Sequence, residues 1–159
     1  MKELKPLPLT AENFKDYGSV LSITKGEPMA DKVEFKYWGK VSHLKMGQVV
    51  SSGVLFGYMR ELIVKSMERH LNTPEVLIAI EGDSIICIGK PSSRCNEIED
   101  IQAFYIKQGD AFAMHNGTWH CVPYPINSHM CKFLVMFASE TEANDLEVRD
   151  LPEAVRVFV

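Results

Sequence analysis

ERHLNTPEVLIAIEG, residues 68–82, combines a polar cluster, a turn and an apolar run. Glu68 and His70 are two positions apart, so a strand through this stretch would present both side chains on one face. An Asn-Thr-Pro turn follows, and Glu75 then opens a returning apolar strand that ends at Gly82, where a turn with positive φ is expected. The stretch therefore predicts a β-hairpin that brings an imidazole and carboxylates together.

A second stretch, GDAFAMHNGTWH at residues 109–120, has a similar organisation. Turns at Gly109 and Gly117 flank a short apolar strand, and His115 and His120 lie near the second turn. Imidazole nitrogen and carboxylate oxygen are ligands of borderline divalent ions. A single histidine is more often a hydrogen-bonded core residue, but two hairpins with this joint spacing can surround one cation.

Short apolar runs separated by turns follow the chain from residue 33 onward, which is typical of an antiparallel sandwich or barrel. The predicted strands cover 35–38, 48–56, 62–70, 76–80, 84–88, 103–106, 111–114, 119–122 and 132–137.

The two ends of the chain carry the helix predictions. A helix is expected over 10–18, with Thr10 as N-cap and Gly18 at its end. The stretch 142–159 is expected to contain a short helical turn, followed by residues 155–159, which either add a last strand or dock on a partner subunit.

Composition and charge narrow the class of protein. At 159 residues the chain fits one domain, 1–159, with 46% hydrophobic and 24% charged residues, as in ordinary globular proteins. The net charge is -4 and the basic residues are scattered, which argues against a nucleic-acid surface or a membrane anchor. A small-molecule partner is expected instead.

Cysteine usage and the N-terminus indicate a compartment. The four cysteines, at wide spacing and without a C-x-x-C pair, are expected to be free thiols: Cys87, Cys95, Cys121 and Cys131. The start of the chain lacks the apolar core of a signal peptide, and no run of about 18 apolar residues is present. A cytoplasmic location is therefore expected.

The two polar stretches resemble the two motifs of the cupin superfamily. In the first motif Glu68 occupies the place of the first histidine, while His70, Glu75 and Gly82 fall in register. In the second motif Gly109, Gly117 and His120 fall in register, and His115 stands in the proline place. The resemblance implies an all-β, cupin-type double-stranded β-helix or jelly-roll barrel.

A narrower resemblance covers almost the whole chain. The sequence is similar to the ureidoglycolate lyase family, formerly called ureidoglycolate hydrolase, which acts in allantoin breakdown. The features that carry it are PLT at 8–10 with Phe14 and Tyr17-Gly18, ERH at 68–70, the pattern H-x-x-x-W-H at 115–120 and LEVRDLP at 146–152.

This resemblance implies a C–N lyase that releases glyoxylate and urea. The imidazole and carboxylate residues at the cupin spacing predict a divalent metal ion, with Ni, Zn, Mn and Fe all open. Its expected ligands are His70, Glu75 and His120. Glu68 or His115, at the rim of the same cavity, is expected to move the proton.

Recognition of the substrate carboxylate calls for a cationic side chain near the site. Lys65 is the first choice, with Arg60 and Arg69 as the other candidates. Arg69 alternates away from His70 along the strand and is expected to face solvent or a partner subunit. Trp119 is expected to fill the core rather than wall the pocket.

Two other functions remain open from the sequence. One is a metal-dependent cupin isomerase or oxygenase that acts on another small hydroxy or keto acid. The other is a cupin without activity that binds a small ligand, because Glu68 replaces the usual histidine. A homodimer is expected in each case, since exposed strand edges invite pairing and the N-terminal half has more apolar residues than one small barrel needs.

Overall fold

The computed structural model describes residues 1–94 and 100–159. These residues form strands joined by turns, together with two single-turn helices, α1 (Ala11–Phe14) and α2 (Thr141–Asn144). In chain order the strands are β1 (Lys2–Leu4), β2 (Leu7–Pro8), β3 (Gly18–Val20), β4 (Ala30–Asp31), β5 (Lys36–Tyr37), β6 (Val50–Tyr58), β7 (Ile63–Arg69), β8 (Glu75–Glu81), β9 (Ser84–Gly89), β10 (Ile101–Ile106), β11 (Ala111–Met114), β12 (Trp119–His120), β13 (Tyr124–Pro125), β14 (Met130–Ala138) and β15 (Glu147–Val157).

The strands assemble into two facing sheets and a small hairpin. One sheet has the order β1-β15-β7-β12-β9-β10-β2, with β13 also paired to β9, and the other has the order β3-β11-β8-β14-β6. Strands β4 and β5 form the hairpin. Most neighbours are antiparallel, apart from the β1–β15 and β10–β2 pairs. The first sheet curls into a half-barrel, which confirms the predicted all-β, cupin-type fold.

Strand β9 is buried along its whole length and separates two apolar clusters. Ile86 and Ile88 point into the cluster between the two sheets, whereas Ile85 and Cys87 point into a second cluster enclosed by the curl of the first sheet. Because both faces of β9 are covered, its sequence is a continuous apolar run rather than an alternation. Trp119 belongs to the second cluster and is 1% exposed, so the prediction that it fills the core is confirmed.

The longer predicted strands agree with the structure to within two residues at most of their ends. The strand predicted at 48–56 begins at Val50 and ends at Tyr58. The runs predicted at 35–38 and 119–122 are each reduced to two strand residues. Strands β1 to β4 and β13 have only two or three residues each, too few to show a period.

The predicted N-terminal helix is present but ends earlier than expected. Thr10 caps it, since its Oγ1 accepts a hydrogen bond from the backbone N–H of Asn13 at 3.1 Å. The helix ends at Phe14, whose ring is fully buried and meets Phe104 and Phe112 edge-on at centroid distances of 5.2 and 5.4 Å. Phe14 therefore belongs to the core between the sheets.

The last strand is longer than predicted. β15 begins at Glu147 rather than at residue 155, and it pairs with β7 along one edge and β1 along the other. Its pairing with β7 shifts register between Asp150 and Val155, next to Pro152. This irregularity hides the strand period in LEVRDLP.

The prediction of free thiols is confirmed for Cys87, Cys121 and Cys131, which are all buried. Cys95 lies outside the described residues, as do residues 96–99. In the described part of the chain, every helix is too short to cross a lipid bilayer.

Candidate metal centre

The candidate ligands come from both sheets. His70 directly follows β7, and His120 lies in β12, where it pairs with Glu68 on β7 in antiparallel register. Glu75 opens β8 in the facing sheet, opposite Met114 of β11. Residues that lie up to 50 positions apart in the sequence therefore meet where the two sheets approach each other.

Hydrogen bonds between the two turns hold this junction. The backbone N–H of Gly117 donates to the carbonyl of His70, and the side-chain amide of Asn116 donates to the carbonyl of Leu71 at 3.3 Å. Gly117 has a φ of +80°, a conformation that favours glycine. The turn at Gly117 in the second motif thus holds the end of the first motif in place.

The three candidate ligands form a close group. Their nearest ligand atoms all lie within 4.8 Å of one another. Glu75 Oε2 is 3.3 Å from His70 Nε2 and 3.1 Å from His120 Nε2. Two atoms that bind one ion at about 2.1 Å each are separated by about 3.0–3.4 Å in octahedral or tetrahedral geometry. The spacing of Glu75 from each imidazole fits a shared divalent ion.

Backbone carbonyls orient both imidazoles in the same way. His70 Nδ1 lies 2.6 Å from the carbonyl oxygen of Asp145, and His120 Nδ1 lies 3.0 Å from that of Thr118. A carbonyl oxygen can only accept, so each Nδ1 donates a proton. In the neutral rings the lone pair is then on Nε2, which faces Glu75. Metal-binding histidines are commonly held by such a hydrogen bond from the other ring nitrogen.

Unpaired polar atoms remain at the centre of the group. Within the described residues, Glu75 Oε2 and His120 Nε2 are buried and have no hydrogen bond of acceptable geometry. Buried polar atoms without partners are uncommon, because each loses its interaction with water. A bound cation would satisfy both atoms, so the donor set fits a metal ion.

Charge interactions within the group shift all three pKa values. Burial works to raise the pKa of Glu75, but the two imidazoles outweigh it and hold the pKa at about 2. Burial works to lower the pKa of His70 and of His120, but contact with Glu75 raises both, well above the usual value for His120. Without an ion, the carboxylate is therefore ionised at neutral pH, and its charge favours the protonated form of both imidazoles.

The group opens into an inner cavity of about 270 Å³. Besides His70 and His120, three carboxylates line it, those of Glu68, Glu75 and Glu142. Its other lining residues are apolar or neutral, and neither Lys nor Arg is among the described residues that line it. The cavity is therefore acidic and suited to a cation.

A more open outer cavity of about 720 Å³ adjoins the inner one. Glu68 and His120 line both cavities, and Lys65 lines the outer one. Glu68 Oε1 is 3.5 Å from His120 Nε2, at the boundary between the two spaces. Lys65 is thus on the approach to the site rather than beside the ligands.

The two alternative cationic residues are engaged elsewhere. The Arg60 guanidinium donates to three backbone carbonyls, including that of Val122 at 2.7 Å, and lies over the Tyr124 ring. Arg69 donates to Glu147 at 2.7 Å and lies over the Trp119 ring. Arg69 faces away from His70, as the strand alternation predicts, but it is held by these contacts.

His115 is not where it was expected. It is exposed and lines a separate depression with His43 and Asn116, outside the residues that line the inner cavity. The tight turn that places Gly117 against His70 sends the preceding His115 outward, and the backbone N–H of His115 donates to the carbonyl of Tyr17. The structure does not bring His115 to the rim of the candidate site.

Sequence reasoning missed several residues around the site. Glu142 and Leu146 line the inner cavity from the segment after β14, and the Phe137 ring lies 5.7 Å from the His70 ring. Asp145 contacts His70 from the same segment. None of them belongs to either motif, and only the predicted helical turn near residue 142 pointed to structure there.

Comparison with known proteins identifies the family. A search of curated proteins gives no significant match. The model of the ureidoglycolate lyase family matches residues 1–158, essentially the whole chain. The chain therefore belongs to the ureidoglycolate lyase family, as its sequence motifs predict.

Proposed function

We propose that this protein is a metal-assisted ureidoglycolate lyase that cleaves the carbinol C–N bond and releases glyoxylate and urea. Family membership supports a lyase role in purine breakdown. The observation that carries the metal is the buried convergence of His70, Glu75 and His120 with unpaired atoms at its centre. Cleavage requires the carbinol hydroxyl to lose a proton and the departing urea nitrogen to gain one.

The ion would be held by His70, Glu75 and His120. Bound there, it would supply positive charge that lowers the pKa of a coordinated hydroxyl and neutralises the carboxylates of the acidic cavity. The burial of the group limits the access of water, which strengthens such interactions.

Glu68 is the residue we assign to proton transfer. Its carboxylate lies beside His120 at the boundary of the two cavities, and the side chain is about one-third exposed. A carboxylate in this place can accept the hydroxyl proton and return it to the urea nitrogen as the C–N bond breaks. Glu68 can thus both accept and donate the proton, so the step does not need His115.

Lys65 is the residue we assign to recognition of the substrate carboxylate. Neither Lys nor Arg is among the described residues that line the inner cavity, whereas the outer cavity contains Lys65. Arg60 and Arg69 also carry charge, but their guanidinium groups already donate to carbonyls or to a carboxylate. An ammonium group on a flexible stem can follow a bound carboxylate.

The direct test is turnover of ureidoglycolate, followed as glyoxylate release with and without a chelator. We expect turnover that is lost on chelation and restored by one of the divalent ions. His120→Ala is expected to lower kcat/KM by at least about a thousandfold, since it removes a ligand. The matched control is His129→Ala, which removes an exposed imidazole at the turn before β14.

Other outcomes would favour other functions. Absence of ureidoglycolate turnover in the metal-restored protein would contradict the proposal. Oxygen consumption by iron-loaded protein would indicate an oxygenase, and glyoxylate binding without turnover would indicate a binding protein. Undiminished turnover in His120→Ala would remove His120 from the site.

We further propose that the protein is a homodimer paired along β6. Backbone bonds from Met59 to His129 and from Ser139 to Val49 fix the ladder with β14, so the alternate residues of β6 direct their N–H and C=O groups outward. Val50, Val54 and Phe56 are exposed along this edge. An apolar edge strand can pair with its own copy about a two-fold axis.

Ser52→Pro tests the dimer, because its N–H points away from β14 and its loss leaves the ladder within the chain intact. Light scattering is expected to show a dimer for the wild type and for the Ser52→Ala control, and a monomer for Ser52→Pro. A monomeric wild type, or a Ser52→Pro dimer, would contradict the proposed interface.

The free thiols of Cys87, Cys121 and Cys131 support a reducing, cytoplasmic setting.

A further inference from the structure

Asp145 makes three contacts with the chain around His70. Its carbonyl oxygen accepts from His70 Nδ1 at 2.6 Å. Its carboxylate accepts from the backbone N–H groups of Leu71 and Asn72, each at 2.8 Å. One residue from the C-terminal part of the chain thus contacts three consecutive residues of the turn between β7 and β8.

The backbone carbonyl and the side-chain carboxylate of Asp145 have different roles. The carbonyl determines which nitrogen of the His70 ring carries the proton, and hence that Nε2 faces Glu75. A carbonyl in a loop has no fixed position of its own. The carboxylate supplies that position, because its two charge-assisted hydrogen bonds attach residue 145 to the turn that carries His70.

The segment before Asp145 is anchored at its other end. The backbone N–H of Asp145 donates to the carbonyl of Thr141, and the Thr141 hydroxyl donates to the carbonyl of Ala138 at 2.6 Å. The backbone N–H of Ala138 in turn donates to Thr73 Oγ1 at 3.0 Å. These bonds form a closed circuit from β14 through α2 to the turn after β7, so the Asp145 carbonyl is held from both sides.

We propose that Asp145 is a positioning residue for the metal centre, whose carboxylate holds its own carbonyl against His70 and so presents Nε2 of His70 to the ion. The proposal rests on the proposed metal site but not on the identity of the substrate. It concerns a residue outside both motifs, and the ion does not contact it.

The test compares the affinity of Zn²⁺ for the full-length metal-free protein in wild type, Asp145→Ala and Asp145→Asn, by calorimetry without substrate. Asparagine keeps the shape, but its amide meets one backbone N–H with another donor. Loss of partners that orient a ligand typically costs 10- to 100-fold in affinity, and we expect a loss of about this size in both variants.

Asp83→Asn is the matched control. The Asp83 carboxylate also accepts two hydrogen bonds, from Tyr105 Oη at 2.8 Å and from the backbone N–H of Gln108 at 2.9 Å, but in the turn after β8. This variant removes comparable bonds at the other end of β8 from Glu75. We expect its Zn²⁺ affinity to equal that of the wild type.

A spectroscopic measurement distinguishes positioning from general loss of structure. In ¹⁵N spectra of Zn²⁺-loaded wild type, His70 is expected to be protonated at Nδ1 and metal-bound at Nε2. Coordination through Nδ1 would overturn the proposal even if no variant folds. Zn²⁺ affinity that is unchanged in the Asp145 variants, or reduced equally in Asp83→Asn, would also overturn it.

If ureidoglycolate proves not to be a substrate, these readouts are unaffected, because none of them uses turnover. If Zn²⁺ does not bind the wild type at all, both the metal site and the role of Asp145 fail. Activity adds one further comparison. In a functional lyase, the Asp145 variants are expected to recover kcat when the ion concentration is raised, which a damaged substrate pocket would not allow.

Discussion

Glu75 is the residue on which the chemistry of the centre depends. It is the carboxylate shared by both imidazoles, and it is buried at the start of β8. Without an ion, protons on His70 and His120 compensate its charge. Metal ligands must be deprotonated, so an ion and these protons compete for the same atoms. Metal affinity is therefore expected to rise with pH as the imidazoles lose their protons.

The stability of the metal-free protein is expected to be greatest between pH 4.5 and 6.5 and to fall on either side of this range. The pKa values of His70 and His120 are raised above the usual 6.5, so their stabilising contribution is complete below pH 6.5 and is lost as pH passes their folded values. The pKa of Glu75 is lowered from 4.5 to about 2, so its contribution is present above pH 4.5 and is lost on acidification towards pH 2. Urea unfolding in the presence of chelator, from pH 3 to 9, measures both limbs.

Glu75→Gln is expected to reduce the alkaline limb of this profile. The amide does not attract protonated imidazoles, so His70 and His120 lose the carboxylate that raises their pKa values most, while Glu68 still raises that of His120. Glu142→Gln is the control. It replaces another carboxylate of the cavity, one that does not contribute to the pKa shifts of His70 and His120. A profile in Glu75→Gln identical to that of the wild type would contradict the assigned charges.

Spacing made three residues of the site predictable. His70, Glu75 and His120 recur at the separations that two hairpins need, and these separations are visible in one sequence. Glu142 and Asp145 reach the site from a segment with no such pattern, through contacts that span more than seventy residues. The direction of the His115 side chain depends on the conformation of the turn at Gly117. The sequence of that turn does not determine this direction.

At the level of elements, the pairing of β3 with β11 supports the second motif. A side chain on Gly18 would place its Cβ 1.9 Å from the carbonyl oxygen of Ala113 on β11. The neighbouring carbonyl of Tyr17 accepts from the backbone of His115 and from the Thr118 hydroxyl. Close approach of the two strands at Gly18 thus keeps the motif turn in place.

Gly18→Ala is expected to destabilise the protein by about 1–3 kcal/mol, because the clash is with backbone and one strand must move. Gly53→Ala on β6 is the control, since a Cβ there meets nothing within 4 Å and an alanine favours an ordered strand. Urea unfolding of the two variants measures the difference. Equal stability of the two variants would show that β3 can shift without cost.

Strands with a clear period were predictable, and short or irregular ones were not. The burial of β14 alternates over its first six residues, and the strand was found with its ends correct to within two residues. β15 was mostly missed because its register shifts next to Pro152. The helix α1 was found from its Thr10 cap, but its length depends on Phe14 entering the core, which is a tertiary effect.

At the level of the whole molecule, the centre joins the two sheets. His70 and His120 belong to one sheet and Glu75 to the other, so a bound ion would cross-link them. An ion that binds only the folded state stabilises that state by about 2.7 kcal/mol when its free concentration is one hundred times Kd. Tm is expected to rise with free ion concentration, measured by calorimetry, and the rise should be abolished in His120→Ala. An ion-independent Tm would contradict a site in the folded protein.

The fold class was predictable because turn residues and short apolar runs leave few alternatives to a sandwich or barrel. The order of strands within each sheet was not, since it depends on pairings such as β1 with β15 between the two ends of the chain. The division of the space into an inner acidic part and an outer part that contains Lys65 is likewise a property of the assembled sheets.

The acidic lining of the inner cavity determines which small solutes can enter the protein before it is loaded. The three carboxylates outnumber the two imidazoles, and neither Lys nor Arg is among the described lining residues, so the lining disfavours acetate, formate and similar anions. Small organic cations, such as protonated Tris or free imidazolium, are attracted to the same space. We therefore expect amine buffers to slow reconstitution with metal, while carboxylic acids gain access only after the ion has entered.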